Sequence, residues 1–131
     1  AVFTGPIHPA SSKLQPLVDT DVFAVPSIAE NFCFSMFEAM ACRIPVVVSD
    51  TINFAPKVAA YGAGLVVDRS ADSFANALEA VLLNPARQAA LGSGGRRLAE
   101  AYSWTACGRR LDLALQAILN RQPFPPDLTD E

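Results

Sequence analysis

The sequence is poor in the residues on which several classes of site depend. Its 131 residues contain three cysteines and one histidine, His8. An odd number of cysteines without a Cys-x-x-Cys pair argues against a disulfide framework and a zinc site, and it is typical of a reducing compartment. A nucleophilic Cys33 would need a neighbouring base, and His8, the only histidine, is predicted to lie about one strand away from Cys33. A catalytic Cys-His pair is therefore disfavoured.

Long hydrophobic runs and clusters of basic charge are also missing. No apolar stretch approaches the roughly 20 residues that a membrane span needs. Ten basic and 13 acidic residues give a formal net charge of −3, and the arginine doublets at 96–97 and 109–110 are predicted on solvated helix faces. These features argue against a nucleic-acid partner. The composition, 51% hydrophobic and 18% charged, predicts a globular domain.

What the chain does contain is an alternation of short apolar runs and helical patterns, which predicts an α/β fold with a doubly wound parallel sheet. The apolar runs predict strands at 1–4, 22–25, 44–48 and 64–67. Capping residues and apolar periodicity predict helices at about 13–19 and 35–42, from Pro56 to Gly62, and after Ser70, Asn84 and Ser103.

Three smaller features complete this prediction. The GSGG stretch at 92–95 predicts a break in the helix that begins at Pro85. Trp104 is predicted to be a packing anchor of the last helix. Residues 1–122 are predicted to form a domain of this α/β type, and the proline-rich, acidic residues 123–131 a tail.

The stretch from Pro26 to Asp50 organises the rest of the chain. It is predicted to leave a strand, pass through a loop with Glu30, form a helix with Glu38 on its first turn, and enter a buried strand. Ligands of such units bind outside the carboxyl ends of the strands, and the amides of the first helical turn suit a phosphate. From the residues alone, Glu38 is either a ribose ligand or a surface acid that compensates the helix dipole. Glu30 is either exposed by chance or placed to meet a polyhydroxylated ligand.

The same stretch, PSIAENFCFSMFEAMACRIPVVVSD, closely resembles the donor-binding signature of the GT-B-fold, retaining glycosyltransferases of family 4. That signature is Pro-Ser, then Glu-x7-Glu, Ala-Met-Ala and Pro-Val-Val-x-Ser. VFTGPI, DTDVFAVPS, YGAGLVVD and LNPARQAALGSGGRRLAEAYSW extend the resemblance over nearly the whole chain.

The resemblance implies roles for individual residues. Glu30 matches the catalytic-site glutamate that contacts the donor sugar at its reacting end, and Glu38 the one that binds the ribose hydroxyls. Residues 1–122 would form a partial nucleotide-sugar-binding domain of the Rossmann-like type, and the loop at 49–54 would lie on the same rim of its donor site. Backbone amides of one segment would hold the diphosphate and the sugar: Phe32, Cys33, Phe34 and Ser35. No metal and no cofactor beyond the nucleotide diphosphate sugar is implied.

The implied function is transfer of a sugar to an acceptor with retention of anomeric configuration, in polysaccharide or glycoconjugate biosynthesis. The acceptor, a saccharide, a lipid or another molecule, would be bound by an amino-terminal domain outside this sequence. We expect a cytoplasmic protein, and the alternative location is a peripheral one at the inner face of the membrane. Two alternatives remain open: a nucleotide-sugar epimerase of the same fold, and a non-catalytic nucleotide-sugar-binding module.

The sequence departs from the family pattern at three points. Cys33 and Arg43 stand where the family usually has glycine, so Cys33 is expected to narrow the site or alter its donor, and Arg43 to carry strain if its turn needs a positive φ. The family's Arg-x4-Lys pair is absent. We therefore expect a missing upstream segment, an inactive fragment when the chain is alone, and self-association or a retained upstream piece at the edge of strand 22–25.

Overall fold

The computed structural model describes residue 5 and residues 14–125, and it divides the chain into two compact units, Ala1–Ala99 and Glu100–Glu131. Within the described part of the first unit, three strands form a sheet: β1 (Phe23–Val25), β2 (Val46–Ser49) and β3 (Gly64–Val67). The predicted strand at 1–4 and the tail from 126 onward lie outside the described residues. The predicted domain boundary at 122 stays a prediction.

The described sheet is parallel throughout, with the strand order β1-β2-β3. Phe23 lies opposite Val46, and Ser49 lies opposite Val67. Because β2 is paired on both edges and parallel strands are buried on both faces, it reads as a continuous apolar run rather than an alternating one. All of its residues are fully buried. The predicted α/β fold with a Rossmann-like parallel sheet is confirmed.

Helices follow the strands as the capping residues predict. Ser70, Asn84 and Ser103 each accept a hydrogen bond through the side chain from a backbone N–H three residues later, which satisfies a donor that the helix itself leaves unpaired. The helices are α1 (Leu14–Val18), α2 (Phe34–Ala41), α3 (Ala55–Ala60), α4 (Ala71–Leu82), α5 (Pro85–Ala101) and α6 (Trp104–Leu119). Gly62, with a φ of 57°, follows α3 as predicted.

One core cluster of the first unit lies between β2 and α4. Val47 packs with three buried residues at helical spacing on α4, Phe74, Ala77 and Val81. Val46 and Val48 are buried as well, and they point to the opposite face because side chains alternate along a strand. Both faces of β2 are therefore covered.

The predicted helix break at 92–95 is wrong, since α5 runs without interruption through these glycines. Their role is close packing. A Cβ atom on Gly92 would lie 2.1 Å from the carbonyl oxygen of Arg43, and one on Gly94 would lie 2.1 Å from that of Gly62. The cost of glycine in a helix, about 1 kcal/mol relative to alanine, is thus offset by contacts that no other residue permits.

Arg43 itself has a φ of 62°, so the turn after α2 does require the left-handed conformation that glycine favours. The expectation of strain at this residue is confirmed.

The arginines at 96 and 97 are exposed, as predicted, but their guanidinium groups bind helix ends. Arg96 donates to the carbonyl oxygen of Ala41 at 2.7 Å, and Arg97 donates to that of Tyr61 at 3.2 Å. These carbonyls lie at the carboxyl ends of α2 and α3, where the helix dipole favours a cation. One segment of α5 therefore holds the ends of two helices.

In the second unit, Trp104 is 87% exposed, so the prediction of a packing anchor is wrong. The start of α6 is instead fixed by polar contacts. Arg110 donates to the carbonyl oxygen of Ala101 at 2.9 Å and lies over the ring of Tyr102 at 5.3 Å. Helical spacing predicts only the side of the helix on which the indole lies, and not whether another element covers it.

Asp68 gives α4 a second polar cap. Its carboxylate accepts hydrogen bonds from the Ser70 N–H and the Ser73 hydroxyl, both at 2.7 Å. Hydrogen bonding from the side chains of Ser70 and Ser73, and then from the backbone of Ser70, favours the charged form and lowers the pKa of Asp68.

The lowered pKa predicts how the stability of the α4 start depends on pH. The contribution of Asp68 is present above the unfolded-state pKa, about 4, and is lost as the pH falls through the lower folded-state value. Asp68→Asn should therefore lower the urea midpoint at pH 7 and make little difference near pH 2. Asp50→Asn, a change of an exposed acid outside the helices, is the control and should show no such difference between the two pH values. An Asp68→Asn deficit that persists unchanged at pH 2 would contradict an origin in the charged carboxylate.

The glycine contacts predict opposite outcomes for two helical substitutions. Gly92→Ala should lower the free energy of unfolding by about 1–3 kcal/mol, the usual cost of overpacking, because the backbone of Arg43 occupies the space of the new methyl group. Gly108→Ala on α6 is the matched control, since nothing lies within 4 Å of the position of its Cβ. It should raise stability by about 0.5–1 kcal/mol. Urea denaturation measures both, and a Gly92→Ala protein as stable as the parent would refute the packing role.

Candidate functional site

The loop between β1 and α2 forms an open cleft at the carboxyl end of β1. The cleft has a volume of about 620 Å³ and is lined by residues 29–35. Glu30 lines it, together with the four residues expected to hold the diphosphate, Phe32, Cys33, Phe34 and Ser35. These five residues belong to one continuous loop, and their roles in binding a donor stay a prediction.

Glu30 is half-buried, and one of its carboxylate oxygens is held in place. The hydroxyl of Ser27 donates to Glu30 Oε1 at 2.8 Å. A carboxylate has two oxygens and about four lone-pair sites, so this bond leaves acceptor capacity for a ligand. Glu30 is thus hydrogen-bonded within the loop that forms the cleft.

The loop is tied in turn to the end of β2. The carbonyl oxygen of Ser27 accepts hydrogen bonds from the hydroxyl of Ser49 and from that of Thr51, the latter at 3.2 Å. Ser49 is the buried last residue of β2. The expectation that the loop at 49–54 lies on the same rim agrees with these contacts.

The start of α2 lies in the wall of the cleft. Cys33 is the N-cap residue, with a φ of 49° and a ψ of 66°, and its side chain makes no capping hydrogen bond. Its carbonyl oxygen accepts from the N–H groups of Met36 and Phe37, at 3.0 and 3.3 Å. Its sulfur lies 3.8 Å from the hydroxyl of Ser35. The first N–H groups of a helix have no partner within it, so this end carries partial positive charge.

Glu38 does not line the cleft. Because α2 begins at Phe34, one residue earlier than predicted, Glu38 falls in its second turn, and the placement on the first turn is wrong. Residues four apart share a helix face, so exposed Glu38 lies one turn beyond Phe34 on the same face. Of the residues predicted for the site, Glu38 therefore lies on the helix next to the cleft and not in the cleft itself.

Sequence reasoning missed an aromatic cluster that joins the two loops. The ring of Phe32 stacks on Phe37 at 4.4 Å and lies 4.9 Å from that of Phe34. Phe54 approaches Phe32 and Phe37 edge-on, at 5.3 and 5.0 Å. Three phenylalanines within six residues were the available signal. The cluster packs the loop after β2 against the wall of the cleft.

Metal ligands do not gather in the part of the chain that the structure describes. Among residues 5 and 14–125, no three His, Cys, Asp or Glu side chains converge as a metal site would require. Over the same residues, no helix combines the length and the apolar character needed to span a bilayer.

Comparison with known proteins decides the family. The model of a family described as glycosyl transferases group 1 matches residues 6–98, well over half of the chain. The chain belongs to this family. A solved structure of a glycosyltransferase, sucrose-phosphate synthase from Thermosynechococcus elongatus, superposes with a TM-score of 0.68 at 30% identity, over 79% of this chain and 26% of that chain. This likeness supports the GT-B type of fold for this group 1 member.

Curated relatives of this group 1 member are glycosyltransferases. D-inositol 3-phosphate glycosyltransferase of Rhodococcus opacus is 37% identical over 86 residues, which is 65% of this chain and 19% of that protein. GDP-mannose-dependent monoacylated alpha-(1-6)-phosphatidylinositol monomannoside mannosyltransferase of Corynebacterium glutamicum is 34% identical over 113 residues, 79% of this chain and 29% of that protein. The chain thus spans less than a third of the length of these relatives.

The left-handed conformation of Cys33 predicts the effect of two substitutions at the cleft. Cys33→Gly should raise the free energy of unfolding by about 0.5–1 kcal/mol, because glycine adopts a φ of 49° without a steric penalty. Cys33→Val should lower it by at least about 1 kcal/mol, since β-branched residues are poorly tolerated there. Thermal and urea denaturation test both, and a destabilised Cys33→Gly protein would show that the thiol contributes more than the backbone costs.

Proposed function

We propose that this family member forms the donor-binding part of a glycosyltransferase that moves a sugar from a nucleotide diphosphate to an acceptor with retention of configuration. The observation that carries the proposal is the cleft after β1, in which Glu30 and the start of α2 face one space. The cleft thus combines a hydrogen-bonded carboxylate, which suits sugar hydroxyls, with a helix N-terminus, which suits a diphosphate.

Glu30 is proposed to contact the donor sugar at its reacting end. Its half-buried carboxylate is held by Ser27, so little reorganisation is needed when a sugar arrives. In an oxocarbenium-like transition state, positive charge grows near the anomeric carbon and negative charge grows on the leaving diphosphate. The carboxylate of Glu30 would stabilise the positive charge near the anomeric carbon, and the amides at the start of α2 would stabilise the negative charge on the diphosphate.

Glu38 is proposed to bind the ribose hydroxyls of the nucleotide. It lies on α2 one turn beyond Phe34 and on the same helix face, about 6 Å along the helix axis. The two oxygens of a carboxylate can each accept a hydrogen bond from one hydroxyl of a vicinal diol.

The choice of donor rests on a relative. The Corynebacterium mannosyltransferase is GDP-mannose-dependent by name, and we extend to this chain the use of a nucleotide diphosphate sugar, without a metal or other cofactor. The acceptor, saccharide or lipid, would be held by residues outside the matched region, in a cytoplasmic protein or one peripheral to the inner membrane face. Neither relative named above is an epimerase, which leaves that alternative and the non-catalytic module without support.

The two glutamates should respond differently to substitution in the full-length protein. Glu38→Ala should weaken binding of the nucleoside diphosphate by about 1.5–3 kcal/mol, the range for a hydrogen bond to a charged group. Glu30→Gln should lower kcat for transfer while leaving that affinity nearly unchanged, as expected of a contact that serves the transition state. Calorimetry measures affinity, and release of nucleoside diphosphate measures transfer.

Glu79→Ala, a change of an exposed glutamate on α4, is the matched control and should alter neither quantity. If the Glu38→Ala protein binds the nucleoside diphosphate as tightly as the parent does, Glu38 does not bind the ribose. If Glu30→Gln reduces affinity as deeply as Glu38→Ala does, the proposed division between sugar and nucleotide fails. Isomerised nucleotide sugar in place of transfer would establish the epimerase.

A further inference from the structure

Ser27 connects the carboxylate of Glu30 to the sheet. It follows β1 by two residues, is half-buried, and donates its hydroxyl to Glu30 Oε1 at 2.8 Å. A glutamate has three rotatable side-chain bonds and, without a partner, samples many orientations. The bond restricts the carboxylate to orientations in which Oε1 faces Ser27 and the second oxygen is left for another donor.

The backbone of Ser27 is fixed by the strand beside it. Its carbonyl oxygen accepts from Ser49, whose hydroxyl is fully buried, and from the more exposed Thr51. A buried hydroxyl without a partner is costly, so the contact from Ser49 is strongly maintained. Ser27 therefore links the end of β2 to Glu30: its carbonyl oxygen accepts from Ser49, and its hydroxyl donates to the carboxylate of Glu30.

We propose that Ser27 is a positioning residue for Glu30, with Ser49 as the anchor that places Ser27. Ser27 does not itself line the cleft, so it acts on the donor sugar only through Glu30. The inference rests on the proposed function, in which Glu30 meets the reacting end of the sugar. It adds that the orientation of Glu30 is set by β2 and not by the loop alone.

The test uses Ser27→Ala and Ser27→Thr in the full-length protein. Ser27→Ala should lower kcat about tenfold, the effect of losing a hydrogen bond to a charged group, with the Kd for nucleoside diphosphate within about twofold of the parent. Ser27→Thr keeps the hydroxyl and should restore most of the rate. Ser93→Ala, which removes an exposed serine hydroxyl on α5, is the control and should leave kcat unchanged.

A second comparison separates positioning from support of the loop. In a Glu30→Ala background there is no carboxylate to orient, so Ser27→Ala should cause no further loss of transfer if Ser27 acts only through Glu30. A further loss of similar size, a matching loss of nucleotide affinity, or no rescue by Ser27→Thr in a folded protein would overturn the positioning role.

The two hypotheses fail in different ways. If Glu30→Ala leaves transfer at the parental rate, the proposed role of Glu30 is wrong and the positioning role falls with it. If Glu30→Ala abolishes most transfer and Ser27→Ala retains the parental kcat, the positioning role alone is wrong. Ser49→Ala gives an independent reading, since it should lower kcat in the same direction as Ser27→Ala without touching the side chain of Ser27 or Glu30.

Discussion

The burial of β2 is the constraint on which the rest of this structure depends. The strand is paired on both edges and covered on both faces, so it can carry no polar side chain without a partner. Its one hydroxyl, on Ser49, lies at the last strand position and meets the carbonyl oxygen of Ser27. The need to satisfy that group ties the loop after β1 to the end of β2. The candidate site is thus built outward from the most buried element of the sheet.

A second constraint acts at the other end of α2. There Gly92 and Gly95 allow α5 to approach the turn at Arg43 and the side chain of Met40, while Arg96 binds the carbonyl oxygen of Ala41. A helix held at its carboxyl end is restricted in where its amino end can lie. Because the amino end of α2 forms a wall of the cleft, the packing of α5 contributes to the geometry of the site from about two helical turns away.

The cleft itself combines rigid and strained parts. The rings of Phe32, Phe37 and Phe54 pack its wall against the neighbouring loop, and Cys33 holds a conformation that suits glycine better. Strain of this kind persists only where the surroundings impose it. The cluster of rings and the hydrogen bonds of Ser27 supply such surroundings. Membership of the glycosyl transferases group 1 family gives this arrangement a chemical interpretation, and the roles of Glu30 and Glu38 remain the proposal to be tested.

The sequence by itself determined the strands that the structure describes, to within about two residues, the helix starts at Ser70, Asn84 and Ser103, and the choice of the loop after β1 as the candidate site. These follow from apolar periodicity, side-chain caps and strand-end loops, all of which are local. Only the tertiary structure decided that α5 continues through its glycines, that Trp104 is exposed, and that Ser27 joins Ser49 to Glu30. Each of these depends on which atoms lie opposite a residue: whether a backbone fills the space beside a glycine, whether anything covers an indole, and which carbonyl a buried hydroxyl meets. Those neighbours are distant in sequence, 22 residues in the case of Ser27 and Ser49, so no local pattern contains them.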